Sequence, residues 1–181
     1  GRASLDVAAG YIKGQAFADG GRMKTVVFDL DGTLADTSGD LIAAANACFA
    51  ALGHGALLDP VGDQLTAFHG GRAMLKLGFS RLEMAVGEED IDQEYPRLLK
   101  HNGEHIDVYT RLYQGAEAAV ERLLADGYRT AICTNKPEGL AETLIQRLGV
   151  RGLFGSLIGA DTLATRKPDV APYLACVEQV G

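Results

Sequence analysis

The segment from Lys24 to Thr37 constrains the fold more than any other part of the chain. Its first half, Thr25–Phe28, is β-branched and aromatic without charge, which is typical of a strand covered on both faces. Asp29 and Asp31 follow directly. Because the ligand sites of open α/β sheets lie outside the carboxyl ends of the strands, this pattern predicts a buried parallel strand that carries two carboxylates to a site.

Asp29 and Asp31 are one residue apart, and such residues point to opposite sides of a regular strand. Both can act on one ligand only if the chain leaves strand geometry between residues 30 and 32, and Gly32 makes that turn cheap. One carboxylate can then attack a phosphorus atom while the other moves protons. A divalent cation would neutralise the charge between them.

Composition narrows the class of partner. The chain has 181 residues, 47% of them hydrophobic, and its 24 acidic against 17 basic residues give a net charge of −7. Because the sequence has no Lys/Arg cluster, we do not expect a nucleic acid or a membrane surface as a partner. We expect a small molecule instead. No apolar run approaches the ~20 residues of a membrane span, so we predict a cytoplasmic protein.

Cys48, Cys133 and Cys176 are odd in number, widely spaced and set in apolar runs, which indicates reduced, packed thiols.

Met23 stands immediately before the first predicted strand. We therefore treat residues 1–22 as an N-terminal extension, either upstream sequence or a segment foreign to the natural protein, and leave them out of the fold prediction.

The rest of the chain divides into a helical insertion and a return to alternating strands and helices. Helical patterns predict an insertion over residues 38–110, with helices at Ser38–Leu52, Val61–Phe68, Arg72–Leu77 and Asp90–Tyr109. Beyond it, helices are predicted at Ala116–Ala125, Glu138–Leu148 and Ala171–Val180, and strands at Tyr128–Cys133 and Ser156–Gly159. This order predicts an α/β fold, a Rossmann-like three-layer parallel sheet built from residues 23–37 and 111–181, with an inserted helical cap.

Three motifs along this predicted core resemble those of the haloacid dehalogenase superfamily. They are Asp29-Leu-Asp-Gly-Thr33, Thr134-Asn135 and Lys167-Pro168. Longer stretches, Leu34 to Leu41, Thr134 to Pro137 and Lys167 to Pro172, resemble the phosphoglycolate phosphatase branch, whose helical cap is inserted after the first motif (C1 type). The resemblance covers residues 24–181.

The resemblance implies a role for each matching residue. Asp29 would be the nucleophile that becomes an aspartyl-phosphate, and Asp31 would protonate the leaving alcohol and then activate water. Thr134 would bind a phosphoryl oxygen, helped by backbone N–H groups at the start of the next helix. Lys167 would offset charge in the transition state. Mg²⁺ would be held by Asp29 and by the backbone carbonyl of Asp31.

Further residues are candidates for substrate binding. Gly32 and Thr33 belong to the first motif, and by the same resemblance Asn135 shapes its loop and touches substrate. In the cap, the loop formed by Gly70, Gly71 and Arg72 allows close approach, and its guanidinium suits a substrate carboxylate. Asp36 and Asp40, by contrast, are expected to cap a helix or to face solvent.

The family's fourth motif, an acidic pair after a further strand, has no counterpart in this sequence, so we expect the core to be truncated before it.

The leading hypothesis is a Mg²⁺-dependent phosphomonoesterase acting on a small phosphorylated metabolite such as 2-phosphoglycolate. A dehalogenase does not need Asp31, and a phosphonatase needs a cap lysine, for which only Lys76 and Lys100 are available. A hexose-phosphate mutase, or an inactive truncated or scaffold protein, remains as an alternative.

Overall fold

The computed structural model describes residues 24–82 and 86–181. Residues 1–22, treated above as an extension, lie outside the described residues. The elements in chain order are β1 (Thr25–Phe28), β2 (Ala35–Asp36), α1 (Ser38–Ala51), α2 (Gln64–Ala67), α3 (Gly71–Ser80), α4 (Glu88–Glu104), β3 (Arg111–Leu112), α5 (Ala116–Ala125), β4 (Arg129–Cys133), α6 (Glu138–Arg147), a 3₁₀ turn (Arg151–Leu153), β5 (Ser156–Ile158) and α7 (Ala171–Gln179).

The chain forms two compact units. Unit 1 holds the described residues up to Ala35 together with Leu112–Gly181, and unit 2 holds Asp36–Arg111. The chain passes between the units twice, once within β2 and once within β3, and these two short strands pair with each other. No sequence pattern had predicted them, because two residues are too few to show an alternation.

A parallel sheet of order β1-β4-β5 forms the centre of unit 1. On one face, Val27, Ala131, Cys133 and Ile158 pack against Cys176 and Val180 from the end of the chain, and none of these six residues is more than 7% exposed. Ile132 and Leu157 alternate with them and are buried on the opposite face, and α5 and α6 contact β4 and β5. The predicted three-layer α/β fold is confirmed.

Unit 2 is built from helices α1 to α4 around its own apolar core. Phe49 and Phe79 pack edge to face with ring centroids 5.2 Å apart. Gly78 makes room for this pair, because a Cβ at that position would overlap the ring of Phe49. The large rings therefore set how closely α1 and α3 approach. That unit 2 acts as a cap remains a prediction.

The helix predicted over Asp90–Tyr109 was wrong at both ends. Helix α4 begins earlier, at Glu88, and the Asp90 carboxylate accepts a hydrogen bond from the N–H of Gly87, 2.8 Å away. It ends at Glu104, because the backbone further along is bound elsewhere. The N–H of Thr110 donates to the Asp40 carboxylate over 2.8 Å.

The prediction for Asp40 was also wrong. Its side chain does not cap a helix or face solvent, since Asp40 is only 3% exposed. It accepts hydrogen bonds from the N–H groups of Tyr109 and Thr110 and from the Thr110 hydroxyl. Asp40 thus ties the start of α1 to the segment that leaves unit 2. Asp36 does bind near a helix start, where its carboxylate accepts from the N–H and hydroxyl of Ser38.

Cys48, Cys133 and Cys176 are buried free thiols, as predicted. Burial raises the pKa of the Cys48 thiol to about 11, which makes it unreactive near neutral pH. Within the described residues, no helix combines the length and the hydropathy needed to cross a membrane.

Candidate active site

The turn after β1 places the first pair of acidic residues. Leu30 is fully buried, and its carbonyl accepts hydrogen bonds from the N–H groups of Thr33, Leu34 and Ala35. Gly32 has a φ of 75°, a left-handed conformation that glycine adopts without strain. The chain therefore leaves strand geometry after Phe28, and the predicted turn is confirmed.

Asp29 is held by two donors that meet at one oxygen. Lys167 Nζ lies 2.7 Å from Asp29 Oδ1, and the N–H of Leu30 donates to the same oxygen over 2.8 Å. The side chain of Asp29 is 35% exposed and that of Lys167 is 13% exposed. The third motif is thus brought to the first, with the ammonium beside the carboxylate predicted to be the nucleophile.

Asp31 has a lysine partner of its own. Lys136 Nζ lies 3.0 Å from Asp31 Oδ1, and the Thr134 hydroxyl donates to Asp31 Oδ2 over 3.4 Å. The side chains of Lys136 and Asp31 are 7% and 17% exposed. Thr134, itself only 2% exposed, lies directly after β4. The segments that follow β1, β4 and β5 therefore bring together the four predicted catalytic residues, Asp29, Asp31, Thr134 and Lys167.

Lys136 is the residue that sequence reasoning missed. Its signal was its position, because a charged residue that follows a buried strand by a few positions lies at the edge where parallel sheets carry their sites. The resemblance includes Lys136 within the stretch from Thr134 to Pro137 but implies no partner for it. The structure shows that this side chain is buried beside an acidic residue of the site.

Asn135 joins two loops of the site. Its side-chain N–H donates to the backbone carbonyl of Lys167 over 3.2 Å, and Asn135 itself is exposed. The residue therefore links the loop after β4 to the loop that carries Lys167. Contact between Asn135 and a substrate remains a prediction.

Two backbone N–H groups near the start of α6 already have partners within the chain. Binding of phosphate by backbone N–H groups in this segment stays a prediction. The N–H of Glu138 donates to Asp161 Oδ1 over 2.7 Å, and the N–H of Lys136 donates to the Thr134 hydroxyl over 3.0 Å. Pro137 has no N–H to offer. The ammonium groups of Lys136 and Lys167 also supply positive charge to this site.

Gly32 and Thr33 also use their amides within the turn. The N–H of Gly32 donates to the Ala35 carbonyl over 2.9 Å, and that of Thr33 donates to the Leu30 carbonyl over 3.2 Å. These two amides hold the turn in shape, so any contact of this segment with a substrate would come from other atoms.

The remaining predicted residues, Gly70, Gly71 and Arg72, lie in unit 2. Gly70 has a φ of 94°, and a Cβ on Gly71 would lie 2.6 Å from Leu98 Cδ2, so both glycines are explained by local structure. The Arg72 guanidinium forms ion pairs with Asp92 at 2.7 Å and with Glu88 at 3.3 Å. Hydrogen bonding to Asp92 raises the pKa of Arg72 further above its already high value.

Tyr173 and Cys133, in the core of unit 1, lie close enough to the Asp29–Lys167 pair for its charges to shift their pKa values. Burial raises the pKa of the Tyr173 phenol, and the ammonium of Lys167 partly offsets that rise. The pKa of Cys133 is lowered, first by a hydrogen bond with Cys176 and further by Lys167. Lys167 therefore lies over an apolar layer in which electrostatic interactions are weakly screened.

The donor set of the site fits Mg²⁺. Among the described residues, no group of three or more His, Cys, Asp or Glu side chains forms a ready metal site. Mg²⁺ does not require one, since it is commonly held by one or two carboxylates and keeps several waters. The partly exposed Asp29 carboxylate and the backbone carbonyl of Asp31 offer the hard oxygen ligands that this ion takes.

The comparisons with known proteins agree with this geometry. A family model described as haloacid dehalogenase-like hydrolase matches residues 23–181. The phosphoglycolate phosphatase of Agrobacterium fabrum is 39% identical over 158 residues, which cover 86% of this chain and 66% of that protein. The phosphoglycolate phosphatase of Xanthomonas campestris pv. campestris is 36% identical over 162 residues, covering 87% of this chain and 69% of the relative.

Solved structures share the fold. A predicted phosphoglycolate phosphatase from Haemophilus somnus superimposes with a TM-score of 0.69 at 24% identity, covering 84% of this chain and 69% of that one. CbbY from Rhodobacter sphaeroides, solved in complex with phosphate, gives a TM-score of 0.67 at 21% identity, covering 88% and 73%. At these identities the likeness establishes the fold alone.

The chain belongs to the haloacid dehalogenase-like hydrolases. Within that family it is similar to phosphoglycolate phosphatases, and the resemblance stated from the sequence is confirmed. The chain spans about two thirds of the length of the curated relatives it matches. These comparisons support the enzyme class predicted from the sequence, a phosphatase.

Proposed function

We propose that this chain carries the catalytic residues of a Mg²⁺-dependent phosphomonoesterase that acts through an aspartyl-phosphate. The observation that carries the proposal is the pairing of two carboxylates with two lysines at one sheet edge, Asp29 with Lys167 and Asp31 with Lys136. Four charged side chains clustered at the carboxyl ends of the strands, two of them directly after one strand, indicate a functional site more than a structural one.

Asp29 would act as the nucleophile through Oδ2. Lys167 and the N–H of Leu30 both hold Oδ1, which fixes the orientation of the carboxylate. Attack by Oδ2 would form a bond to phosphorus while the bond from phosphorus to the leaving oxygen breaks. Lys167 would offset the negative charge that develops on the phosphoryl oxygens.

Asp31 would carry the proton in both steps. It would give a proton to the leaving alcohol as that oxygen departs, and would then take one from the water that attacks the aspartyl-phosphate. The Thr134 hydroxyl, 3.4 Å from Asp31 Oδ2, would bind a phosphoryl oxygen. Mg²⁺ held by Asp29 and the carbonyl of Asp31 would neutralise charge on the phosphoryl group.

The proposed substrate is a small anionic phosphate ester, with 2-phosphoglycolate as the first choice. The curated relatives are phosphoglycolate phosphatases, and the site of this chain is lined by two lysines. We further propose a cytoplasmic location, which the buried free thiols support because thiols stay reduced there.

The test is phosphate release from 2-phosphoglycolate and a panel of small phosphate esters, including glucose 1-phosphate, with Mg²⁺ and with EDTA. The Agrobacterium fabrum relative serves as the positive control. Release by both proteins that depends on the metal supports the proposal. Release by the relative alone contradicts it for this chain, and conversion of glucose 1-phosphate to its 6-phosphate isomer points to a mutase.

The role of Asp31 has its own test. Asp31→Asn should lose more kcat/KM, which reports the step in which the leaving group departs, with an alkyl phosphate than with p-nitrophenyl phosphate, since only a poor leaving group needs a proton. The difference should approach the roughly 10²-fold or more that general acid catalysis contributes. Equal losses on the two substrates would remove Asp31 as the acid.

A further inference from the structure

Lys136 connects two residues of the site through different atoms. Its ammonium lies 3.0 Å from Asp31 Oδ1, and its backbone N–H donates to the Thr134 hydroxyl over 3.0 Å. That hydroxyl lies in turn 3.4 Å from Asp31 Oδ2. The three residues form a closed ring of contacts, which fixes the Asp31 carboxylate relative to Thr134.

The ammonium of Lys136 is buried, which separates this lysine from an ordinary surface cation. Its side chain is 7% exposed, and that of Asp31 is 17% exposed. An exposed lysine samples many rotamers and contributes little through an ion pair. A pair shielded from water is weakly screened, so the loss of Lys136 would remove a strongly felt cation from Asp31 Oδ1.

The two oxygens of Asp31 are not equivalent in this arrangement. Lys136 approaches Oδ1, where a proton would face the N–H groups of an ammonium. Oδ2 faces the Thr134 hydroxyl, which is an acceptor as well as a donor. Oδ1 is therefore held by the ammonium, and Oδ2 lies on the side of the proposed phosphate-binding hydroxyl.

We propose that Lys136 is a positioning residue for Asp31, which holds Oδ1 so that Oδ2 is presented to the leaving oxygen. This inference rests on the proposed function, because it takes Asp31 as the acid. The proton passes from Asp31 Oδ2 to the leaving oxygen as its bond to phosphorus breaks. Lys136 loses no proton and forms no covalent bond.

Lys167 shows what a different role would produce. Its ammonium contacts Asp29, the proposed nucleophile, so its removal should slow all phosphate esters by a similar factor. Lys136 acts through the acid, so its removal should slow most those esters whose leaving group needs a proton. Dependence on the leaving group thus separates the two lysines.

The experiment measures kcat and KM for Lys136→Met with 2-phosphoglycolate and with p-nitrophenyl phosphate in the presence of Mg²⁺. We expect kcat/KM to fall at least about tenfold more on 2-phosphoglycolate than on the aryl ester, with KM rising less than about threefold on either. Lys136→Arg should recover part of the loss, because it restores the cation. Lys24→Met, at an exposed lysine of the same unit, is the matched control and should behave as the parent.

A double variant completes the test. In the Asp31→Asn background, Lys136→Met should add less than about a threefold loss, because the residue it positions is already disabled. If Lys136→Met does not fold, as judged by circular dichroism, Lys136→Gln provides the same comparison with a neutral hydrogen-bond donor.

Three outcomes would overturn the inference. They are equal losses of kcat/KM on both substrates, losses that multiply in the double variant, or a rise in KM with kcat unchanged, which would make Lys136 a substrate-binding residue. If Asp31→Asn itself shows no dependence on the leaving group, the proposed role of Asp31 fails and this inference fails with it. If Asp31→Asn shows that dependence and Lys136→Met does not, only the inference fails.

Discussion

Asp31 in unit 1 and Asp63 in unit 2 are both acidic residues with a cationic partner, but the two carboxylates are held in different ways. Arg81 binds Asp63 through both nitrogens, with distances of 2.6 Å to Oδ1 and 2.7 Å to Oδ2, and the N–H of Asp59 adds a bond of 2.7 Å to Oδ2. Lys136 binds Asp31 at Oδ1 alone, over 3.0 Å. A planar guanidinium fixes both oxygens, whereas an ammonium acts as a point charge on one.

The same contrast extends to two further carboxylates. Asp40 in unit 2 accepts from Tyr109 and Thr110 at both oxygens, while Asp29 in unit 1 receives Lys167 and the N–H of Leu30 at Oδ1. Asp63 and Asp40, which support the scaffold, are thus each held firmly at both oxygens. Asp29 and Asp31, which are proposed for chemistry, are each held by an ammonium at Oδ1, and Asp31 Oδ2 accepts only a longer hydrogen bond of 3.4 Å from the Thr134 hydroxyl.

The largest expected effect is on Asp29. Asp29→Asn removes the nucleophile while keeping the side-chain shape, so turnover of 2-phosphoglycolate should fall by at least about a thousandfold with little change in stability. Steady-state kinetics together with thermal unfolding measure the two effects. Asp126→Asn, an exposed acid of the same unit, is the control. Activity near that of the parent would remove Asp29 as the nucleophile.

Sequence reasoning predicted the part of the site that depends on strand topology. The run Thr25–Phe28 is a local pattern, and the meeting of Asp29 with Lys167 follows once the strands are parallel, because their carboxyl ends share one edge. What the sequence encodes locally, or through the order of its strands, was therefore open to prediction.

Sequence reasoning could not predict which distant groups bind a given carboxylate. Lys136 lies 105 residues from Asp31, and Thr110 lies 70 residues from Asp40. No periodicity relates such positions, so Lys136 received no role and Asp40 was misread as a capping or solvent-facing residue. The same limit applies at the start of α6, where Asp161, 23 residues from Glu138, accepts a hydrogen bond from the N–H of that residue.

The second prediction disturbs the site without removing a charge. A Cβ on Gly159 would overlap the backbone of Glu138 at the start of α6, so Gly159→Ala should shift the loop that carries Thr134 and Lys136. We expect a loss of about 2–4 kcal/mol in the free energy of unfolding, together with a lower kcat. Urea unfolding and steady-state kinetics measure these effects.

Gly139→Ala is the matched control for this variant. A Cβ there meets no atom within 4 Å, and the residue lies inside α6, so the change should stabilise by about 0.5–1 kcal/mol. If Gly159→Ala unfolds at the same urea concentration as the parent and keeps its kcat, the loop does not depend on close packing at Gly159.

The third prediction concerns Asp63 in unit 2, whose two carboxylate oxygens are both bound by Arg81. Arg81→Met leaves Asp63, whose side chain is 8% exposed, without its guanidinium partner. Because the Arg81 side chain is 39% exposed, we expect less than the full cost of a buried pair, about 1–3 kcal/mol in the free energy of unfolding. Lys100→Met, at an exposed residue of α4, is the control and should change stability little.

The smallest expected effect is the pH dependence of the stability that Arg81→Met loses. The hydrogen bonds from Arg81 lower the pKa of Asp63, so the folded state favours the charged carboxylate more than the unfolded state does. The stabilisation is therefore complete above the unfolded pKa of about 3.9 and is lost as the pH falls through the lower folded value. The difference in unfolding free energy between the parent and Arg81→Met should be constant from pH 7 to pH 5 and shrink below about pH 4. A difference that grows as the pH falls would contradict the pairing, because acid protonates the carboxylate that Arg81 holds.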